Sequence, residues 1–240
     1  MDLVRGISDG AVGKGHSKKF HPHIYVLDDG IMTYGHDRRA QSIGQVANAC
    51  LPSLDRILNE VAPDRLPEEQ IEVILGGWSY GGVVATELAR QLLSTVVRPH
   101  VLVKTLLLFD SPLRAPREVH TAADIVISTK DAVVSNENEG SDLSVIQRRT
   151  NQHFSYCTEL LKLYHQRAME TTLPLRNCRI IDFRPMESQE YDCGISAVEE
   201  FTLTESIRRH HVPGSHWTML FGENTAFIVR VILEDVLNLQ

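Results

Sequence analysis

The chain contains 240 residues, of which 42% are hydrophobic and 23% charged, the balance of a globular domain that can bury a core without disulfide staples. A net charge of −7 argues against a nucleic-acid partner, and no apolar stretch approaches the roughly 18 residues that a membrane span requires. The N-terminus has no continuous apolar segment of the kind that marks a secretory signal. We therefore expect one free-standing cytoplasmic domain over residues 1–240.

The four cysteines lie far apart in the sequence and include no C-x-x-C pair: Cys50, Cys157, Cys178 and Cys193. This pattern favours reduced packing residues of a cytoplasmic protein, with a disulfide or a zinc site as the minor alternative. The cysteines therefore give no reason to expect a metal centre.

The N-terminal quarter of the chain predicts one strand followed by one helix. Residues 1–20 are polar and glycine-rich, which is typical of a loop, and HIYVLDD (23–29) has the composition of a strand. Residues 42–61 carry apolar side chains at helical spacing, with Pro52 as the one interruption.

A strand–helix–strand unit follows. IEVILGG (71–77) is a continuous apolar run, as expected for a strand buried on both faces of a parallel sheet. GVVATELARQLLS (82–94) has the pattern of an amphipathic helix, and HVLVKTLLLFD (100–110) has that of the next buried strand. This order predicts a βαβ unit, and hence the α/β class with a mostly parallel sheet.

The second half of the chain predicts a helical insertion between two strands. Residues 111–176 are mostly polar and include one long predicted helix near 141–169, whereas an ordinary αβ loop has roughly 2–6 residues. NCRIIDF (177–183) has a strand pattern, RRHHVPGSHW (208–217) is typical of a loop, and residues 223–239 form a final amphipathic helix. We predict one sheet with a helical lid inserted between two of its strands.

The sequence Gly77-Trp78-Ser79-Tyr80-Gly81 fits the pattern G-x-S-x-G and lies between the first buried strand and its helix. In a nucleophile elbow of this kind the serine occupies a strained turn, glycines on either side avoid collisions, and the serine hydroxyl is exposed. The N-terminus of the following helix favours developing negative charge. The placement predicts that Ser79 is a catalytic nucleophile rather than part of a structural turn.

A nucleophilic serine needs a base, and the base needs an acid that orients it. Among the eleven histidines, His216 lies in a Pro-Gly-Ser-His loop before the terminal helix. In a triad with the chain order serine, acid, histidine, the base comes last, in a late loop such as this one. His210 and His211 are interpreted as exposed loop residues, and His153 and His165 as solvated residues of the insertion.

Two aspartates are candidates for the orienting acid. Asp110 ends the strand VKTLLLFD at the carboxyl edge of the sheet, where ligands bind in open α/β folds. Asp182 lies inside the strand CRIIDFR, so we expect its side chain to point sideways and to pair with Arg179 or Arg184. The position at the sheet edge favours Asp110, with Asp182 as the alternative.

Three segments together resemble the thioesterase domains of polyketide synthases and nonribosomal peptide synthetases, in particular fungal members and their free-standing relatives: LGGWSYGGVVATELARQL, LLLFDSP and VPGSHWTML. The resemblance covers about residues 20–240 and implies an α/β-hydrolase fold. It also implies a triad acid after the strand that follows the elbow, which matches Asp110, and a histidine in a G-x-H-x-x-M-like loop, which matches His216. The insertion at 111–176 would correspond to the lid over the family's acyl chamber.

The N-terminus departs from the family pattern. Thioesterase domains of this family usually begin with further strands and a glycine-rich loop that supplies one N–H of the oxyanion hole. Here only LVRGISDGAVG (3–13) is available for that part, with Ala11 as the candidate donor and a disordered tail as the equal alternative. The second donor that the resemblance implies is the backbone N–H of Tyr80, directly after the nucleophile.

The resemblance implies a serine hydrolase or acyltransferase of secondary-metabolite biosynthesis, with no cofactor or metal. An acyl carrier protein or synthase would present a polyketide or peptide chain on a phosphopantetheine arm, and the chain would leave by hydrolysis or cyclisation. Basic side chains of the insertion form either a docking patch for the carrier or an ordinary solvated surface: Arg114, Arg117, Arg148 and Arg149. The alternatives are an esterase or lactonase acting on a free metabolite, and a catalytically weak pathway protein that binds a released polyketide.

Overall fold

The computed structural model describes the following parts of the chain: residues 23–27, 40–66, 69–94, 98–113, 141–171, 175, 177–187 and 207–237. Several features predicted from the sequence lie outside these described residues, namely the loop at 3–13 with Ala11, the end of the predicted strand at 28–29, part of the insertion with Arg114 and Arg117, and Cys193.

The described secondary structure consists of helices and parallel strands. In chain order the elements are α1 (Ile43–Val61), β1 (Ile71–Trp78), α2 (Tyr80–Ser94), β2 (Val101–Phe109), α3 (Ser141–Thr171), β3 (Arg179–Pro185), β4 (Ile207–Val212) and α4 (Glu223–Val231), which continues into a wider π-helical turn at Ile232–Val236.

Helix α1 confirms the prediction for residues 42–61. It begins after Ser42, whose side-chain hydroxyl accepts a hydrogen bond from the Gln45 N–H at 3.2 Å. Pro52 lies inside the helix, where it removes one internal hydrogen bond without ending the element. The helix packs against α2, and the Gln91 side chain of α2 donates a hydrogen bond to the Gly44 carbonyl at 3.1 Å.

The four strands form one parallel sheet in the order β1-β2-β3-β4. Their register aligns the carboxyl ends, because Trp78 lies opposite Phe109, Phe109 opposite Phe183, and Phe183 opposite His210. The residues that follow β1 and β2 therefore emerge side by side at one edge of the sheet. The α/β class and the parallel sheet predicted from the sequence are confirmed.

Alternating side chains of the strands contribute to two apolar cores, one on each face of the sheet. Leu106, Leu108 and Ile180 belong to a core shared with α1, α2 and α3. Leu107 and Ile181 belong to a second core, which α4 closes. A parallel sheet requires cover on both faces, and this division explains the nearly continuous apolar runs of its strands.

Two predictions of secondary structure are wrong. Residues 23–27 adopt no regular structure, although the sequence predicts a strand at 23–29, because these residues contribute none of the strand pairings of the described sheet. Residues 207–212 form β4, although 208–217 predicts a loop, so His210 and His211 are strand residues. Pairing with β3 outweighs the polar composition of this segment, which lies at an edge of the described sheet, where polar side chains are tolerated.

The described cysteines are packing residues that form no disulfide with one another. Cys50, Cys157 and Cys178 are all buried. Burial raises the pKa of the Cys178 thiol to about 12, because the charged thiolate loses its hydration in apolar surroundings. No helix among the described residues is both long enough and apolar enough to span a membrane.

The raised pKa predicts that Cys178 is inert toward thiol reagents in the folded protein. At pH 8 its thiolate fraction is roughly a thousandfold lower than that of an ordinary exposed cysteine, and only the thiolate reacts. We expect alkylation of Cys178 by iodoacetamide at pH 8, followed by peptide mass mapping, to require denaturant. Equal alkylation rates with and without denaturant would contradict the buried position.

Candidate active site

Ser79 occupies a strained corner between β1 and α2. Its φ angle is 53°, in the left-handed region that non-glycine residues seldom adopt. The corner is held on both sides, because the Ser79 N–H donates to the Phe109 carbonyl at 2.9 Å and the Ser79 carbonyl accepts from the Gly82 N–H at 3.0 Å. Strain of this kind persists only where the surrounding structure fixes it, and it is concentrated at functional sites.

Only one of the two glycines of the motif is required by space at the corner. A Cβ on Gly77 would lie 2.2 Å from the backbone carbon of Gly81, so this position requires glycine. A Cβ on Gly81 would meet no atom within 4 Å, whereas one on Gly82 would lie 1.8 Å from the Ser111 hydroxyl oxygen. The expectation that Gly81 avoids a collision is therefore wrong, and Gly82 has that part because the first turn of α2 packs against the segment after β2.

Asp110 follows β2 at the same edge of the sheet. Its φ angle is 45°, and its N–H donates to the Phe183 carbonyl of β3 at 2.9 Å. The side chain is 6% exposed, and its Oδ2 lies 2.6 Å from Nδ1 of His216. A carboxylate only accepts hydrogen bonds, so Nδ1 carries the proton and Nε2 is left as the ring nitrogen that can take up another.

The loop after β4 carries His216 to Asp110. Gly214 has a φ angle of 89°, and its carbonyl accepts a hydrogen bond from the Glu187 N–H at 3.1 Å. The Ser215 N–H donates to the Thr218 hydroxyl at 2.8 Å. These contacts fix the loop to the end of β3 and to its own next turn, so His216 projects from a braced segment.

Trp78 holds His216 from a second direction. The indole Nε1–H donates to the His216 carbonyl at 3.2 Å, and the two rings stack with centroids 4.8 Å apart and planes 27° apart. Trp217 meets the same imidazole edge-on at 4.9 Å, and Phe154 of α3 meets Trp217 edge-on at 6.0 Å. No role for Trp78 is predicted from the sequence. Its position inside the G-x-S-x-G pattern was the signal available.

The other histidines of the sequence prediction make different contacts. His210 of β4 stacks on Phe183 at 5.6 Å. On α3, the His165 Nε2–H donates to the Pro112 carbonyl at 2.8 Å, and burial lowers its pKa despite this hydrogen bond. His153 Nε2 lies 3.4 Å from the Cys157 sulfur. His153 and His165 are thus partly buried contacts of α3 rather than solvated side chains.

Asp182 is fully buried and bound to arginines. Nε of Arg184 and Nε of Arg209 each donate to the Asp182 Oδ2 at 3.1 Å, and Nε of Arg184 also lies 3.0 Å from Oδ1. The predicted partner Arg184 is therefore present, while Arg179 instead donates to the backbone carbonyl of Asp235. These contacts support Asp110, rather than Asp182, as the acid that faces the histidine.

Tyr80 is the first residue of α2, directly after Ser79, so its backbone N–H belongs to the helix N-terminus, where N–H groups favour negative charge. Ala11 lies outside the described residues. Among the residues that the structure describes, no group of three or more histidine, cysteine, aspartate or glutamate side chains could hold a metal ion.

The sequence matches no protein-family model and no curated protein. The structure is similar to solved thioesterase domains. The NocB thioesterase domain, in covalent complex with a fluorophosphonate nocardicin G analogue, gives a TM-score of 0.53 and 20% identity over 83% of this chain and 77% of that chain. RedJ, a thioesterase from the prodiginine biosynthetic pathway of Streptomyces coelicolor, gives a TM-score of 0.54 and 19% identity over 80% of this chain and 71% of that chain. The Vlm2 thioesterase domain gives a TM-score of 0.54 and 20% identity over 87% of this chain and 81% of that chain.

These likenesses show the fold. The described part of the chain has an α/β fold with a parallel four-stranded sheet and flanking helices, and this fold is similar to that of α/β-hydrolase thioesterase structures. The resemblance to fungal, free-standing members stays a prediction.

The glycine geometry predicts unequal effects of alanine at neighbouring positions. Gly82→Ala and Gly77→Ala should each lower the free energy of unfolding by about 2 kcal/mol or more, because the added methyl group overlaps neighbouring atoms. Gly81→Ala is the matched control and should change stability by less than about 1 kcal/mol, since its Cβ meets open space in a helix. Urea unfolding followed by circular dichroism measures all three, and equal effects would contradict the description of the corner.

Proposed function

We propose that Ser79, His216 and Asp110 form the catalytic triad of a thioesterase-type serine hydrolase or acyltransferase. The observation that carries the proposal is the 2.6 Å hydrogen bond between His216 and Asp110 at the sheet edge where Ser79 sits in its strained corner. The register aligns the ends of β1 and β2, so the nucleophile and the acid emerge from adjacent strands.

Acylation follows from these positions. His216 takes the Ser79 proton at Nε2, and the Ser79 oxygen attacks the thioester carbonyl to form a tetrahedral intermediate. The Tyr80 N–H binds the oxyanion, with the second donor expected near Ala11. Collapse of the intermediate breaks the carbon–sulfur bond, His216 returns its proton to the leaving thiolate, and the acyl group remains on Ser79 as an ester.

Deacylation repeats the chemistry with a different nucleophile. His216 removes a proton from water, or from a hydroxyl or amine of the acyl chain, and the activated oxygen or nitrogen attacks the carbonyl of the Ser79 ester. Collapse of this second tetrahedral intermediate breaks the bond between the acyl carbon and the Ser79 oxygen, and His216 returns the proton to that oxygen. Water yields a free acid, and an internal nucleophile yields a ring. Asp110 stabilises the imidazolium that forms in each half-reaction. The face of Trp78 against the ring adds a cation–π attraction of about 0.5–2 kcal/mol when that imidazolium is present.

The substrate we propose is a polyketide or peptide chain bound as a thioester to a carrier protein, which is the context of chain release by thioesterase domains. Arg148 and Arg149 are exposed on α3 and supply positive charge for an acidic carrier. This assignment of the substrate draws on the likeness of fold to thioesterase domains and on the sequence motifs.

Covalent labelling tests Ser79 as the nucleophile. We expect a fluorophosphonate to add one phosphonyl group per folded chain, at Ser79, as read by intact mass and peptide mapping. Ser79→Ala should abolish the adduct, and His216→Ala or Asp110→Asn should slow it by about 1,000- to 10,000-fold. Ser94→Ala removes an exposed serine at the end of α2 and serves as the control with wild-type labelling.

A folded wild-type protein that takes up no phosphonyl group at Ser79 would overturn the triad. That result would favour the non-hydrolytic binding protein.

A comparison of substrates tests whether the acyl chain is presented by a carrier protein. We expect faster turnover of an acyl thioester on a carrier protein than of the same acyl group on N-acetylcysteamine or as an oxygen ester. Charge reversal in the double variant Arg148→Glu, Arg149→Glu should raise KM for the carrier-bound substrate about tenfold and leave the N-acetylcysteamine substrate unchanged, because only the carrier presents a charged surface. Equal turnover of free oxygen esters would instead identify an esterase or lactonase.

A further inference from the structure

A partly buried arginine contacts the candidate triad acid through the carboxylate oxygen that His216 does not use. Arg184 follows Phe183 on β3, and the pairing of Phe183 with Phe109 brings it beside Asp110. Its Nη1 donates to Asp110 Oδ1 at 3.3 Å, and its Nη2 donates to the Ser111 carbonyl at 3.3 Å. The side chain is 16% exposed.

We propose that Arg184 is a positioning residue for the triad, which fixes the Asp110 carboxylate in the orientation that presents Oδ2 to His216. The inference rests on the proposed function. Nothing in the G-x-S-x-G pattern or in the triad order points to this arginine, because its part depends on the register between β2 and β3.

The two oxygens of the Asp110 carboxylate have different partners. His216 takes Oδ2 and Arg184 takes Oδ1, so rotation of the Asp110 carboxylate would break both hydrogen bonds together. Arg184 also holds the carbonyl of Ser111, the residue after Asp110, while the Asp110 N–H is bound to Phe183. The left-handed backbone of Asp110 is therefore held before it, after it and at its side chain.

Arg184 also balances the charge of two buried carboxylates. Asp110 and Asp182 are both buried, and buried carboxylates are tolerated only when they are paired. Arg184 bridges the two carboxylates, and Arg209 contacts Asp182 from β4. The formal charges of these two carboxylates and two guanidinium groups sum to zero, without any charge on His216. Burial opposes the charge on Arg184, but the adjacent carboxylates prevail and raise its pKa above its ordinary value.

The guanidinium group of Arg184 uses all three of its nitrogens. Arg184 contacts three oxygen-bearing groups with three different nitrogens: Asp182 through Nε, Asp110 through Nη1 and Ser111 through Nη2. A planar fork holds such a set in a fixed geometry, and a lysine ammonium cannot reproduce it from a single nitrogen. Asp182 thus anchors the arginine, and the arginine aligns Asp110.

Arg209 supplies a matched control. It contacts the same Asp182 carboxylate at 3.1 Å, its side chain is 18% exposed against 16% for Arg184, and it lies on β4, one strand further from β2. Arg184→Met and Arg209→Met each remove one cation from buried Asp182. A purely structural role predicts similar consequences for both variants, whereas a positioning role separates them.

The test compares phosphonylation of Ser79 by a fluorophosphonate with unfolding in urea. We expect Arg184→Met to slow phosphonylation by about 100-fold, because displacement of a catalytic group by about 1 Å lowers the rate by about that factor. We expect Arg209→Met to slow phosphonylation by less than about threefold. Arg184→Lys keeps the charge and should recover only part of the rate. With an acyl thioester, kcat should fall in Arg184→Met while KM stays unchanged.

A spectroscopic signature gives a second readout. The His216 Nδ1–H bonded to Asp110 should give a downfield proton resonance that is present in the wild type and in Arg209→Met and displaced or lost in Arg184→Lys. The lysine variant keeps this readout available if Arg184→Met does not fold.

Two outcomes would overturn the proposal: wild-type phosphonylation rates in the Arg184 variants, or equal slowing in the Arg184 and Arg209 variants that follows their stability. Failure of the wild type to react at all would instead overturn the triad, so the two failures are distinguishable.

Discussion

The hydrogen bond between Asp110 and His216 is the contact on which the site depends. It joins residues 106 positions apart in the sequence and places a carboxylate, 6% exposed, at the carboxyl end of an apolar strand. A charge in that position must be paired, and the molecule meets the requirement twice, with an imidazole on one oxygen and the Arg184 guanidinium on the other. The same register that brings Arg184 to Asp110 also sets Ser79 beside it.

The sheet therefore does more than support the corner. Its apolar strands divide their side chains between two cores, which fixes the strands against sliding, because a slip of one residue would exchange the two faces. Once the register is fixed, the residues just beyond the strand ends have defined neighbours. The strained backbone of Ser79 and of Asp110 is held by hydrogen bonds to the next strand along, Ser79 to β2 and Asp110 to β3.

The sequence was sufficient for features that depend on local pattern. Chain order and strand position identified Ser79, Asp110 and His216 as candidates, and the structure joins the last two directly. Features that depend on register were missed. The partner of Asp182 on β4, the clash that requires glycine at Gly82, and the strand pairing of 207–212 all arise between segments distant in the chain, and no local periodicity encodes them.

Helix α3 contributes in a different manner from the sheet. It lies in the insertion between β2 and β3, and its Phe154 contacts Trp217, the neighbour of the candidate base. The contacts that align Asp110 and His216 come instead from the strand ends, the loop after β4 and Trp78. Changes on α3 can therefore alter what approaches His216 while the hydrogen bond to Asp110 stays in place. Under the proposed function, this division assigns substrate specificity to α3 and reactivity to the sheet edge.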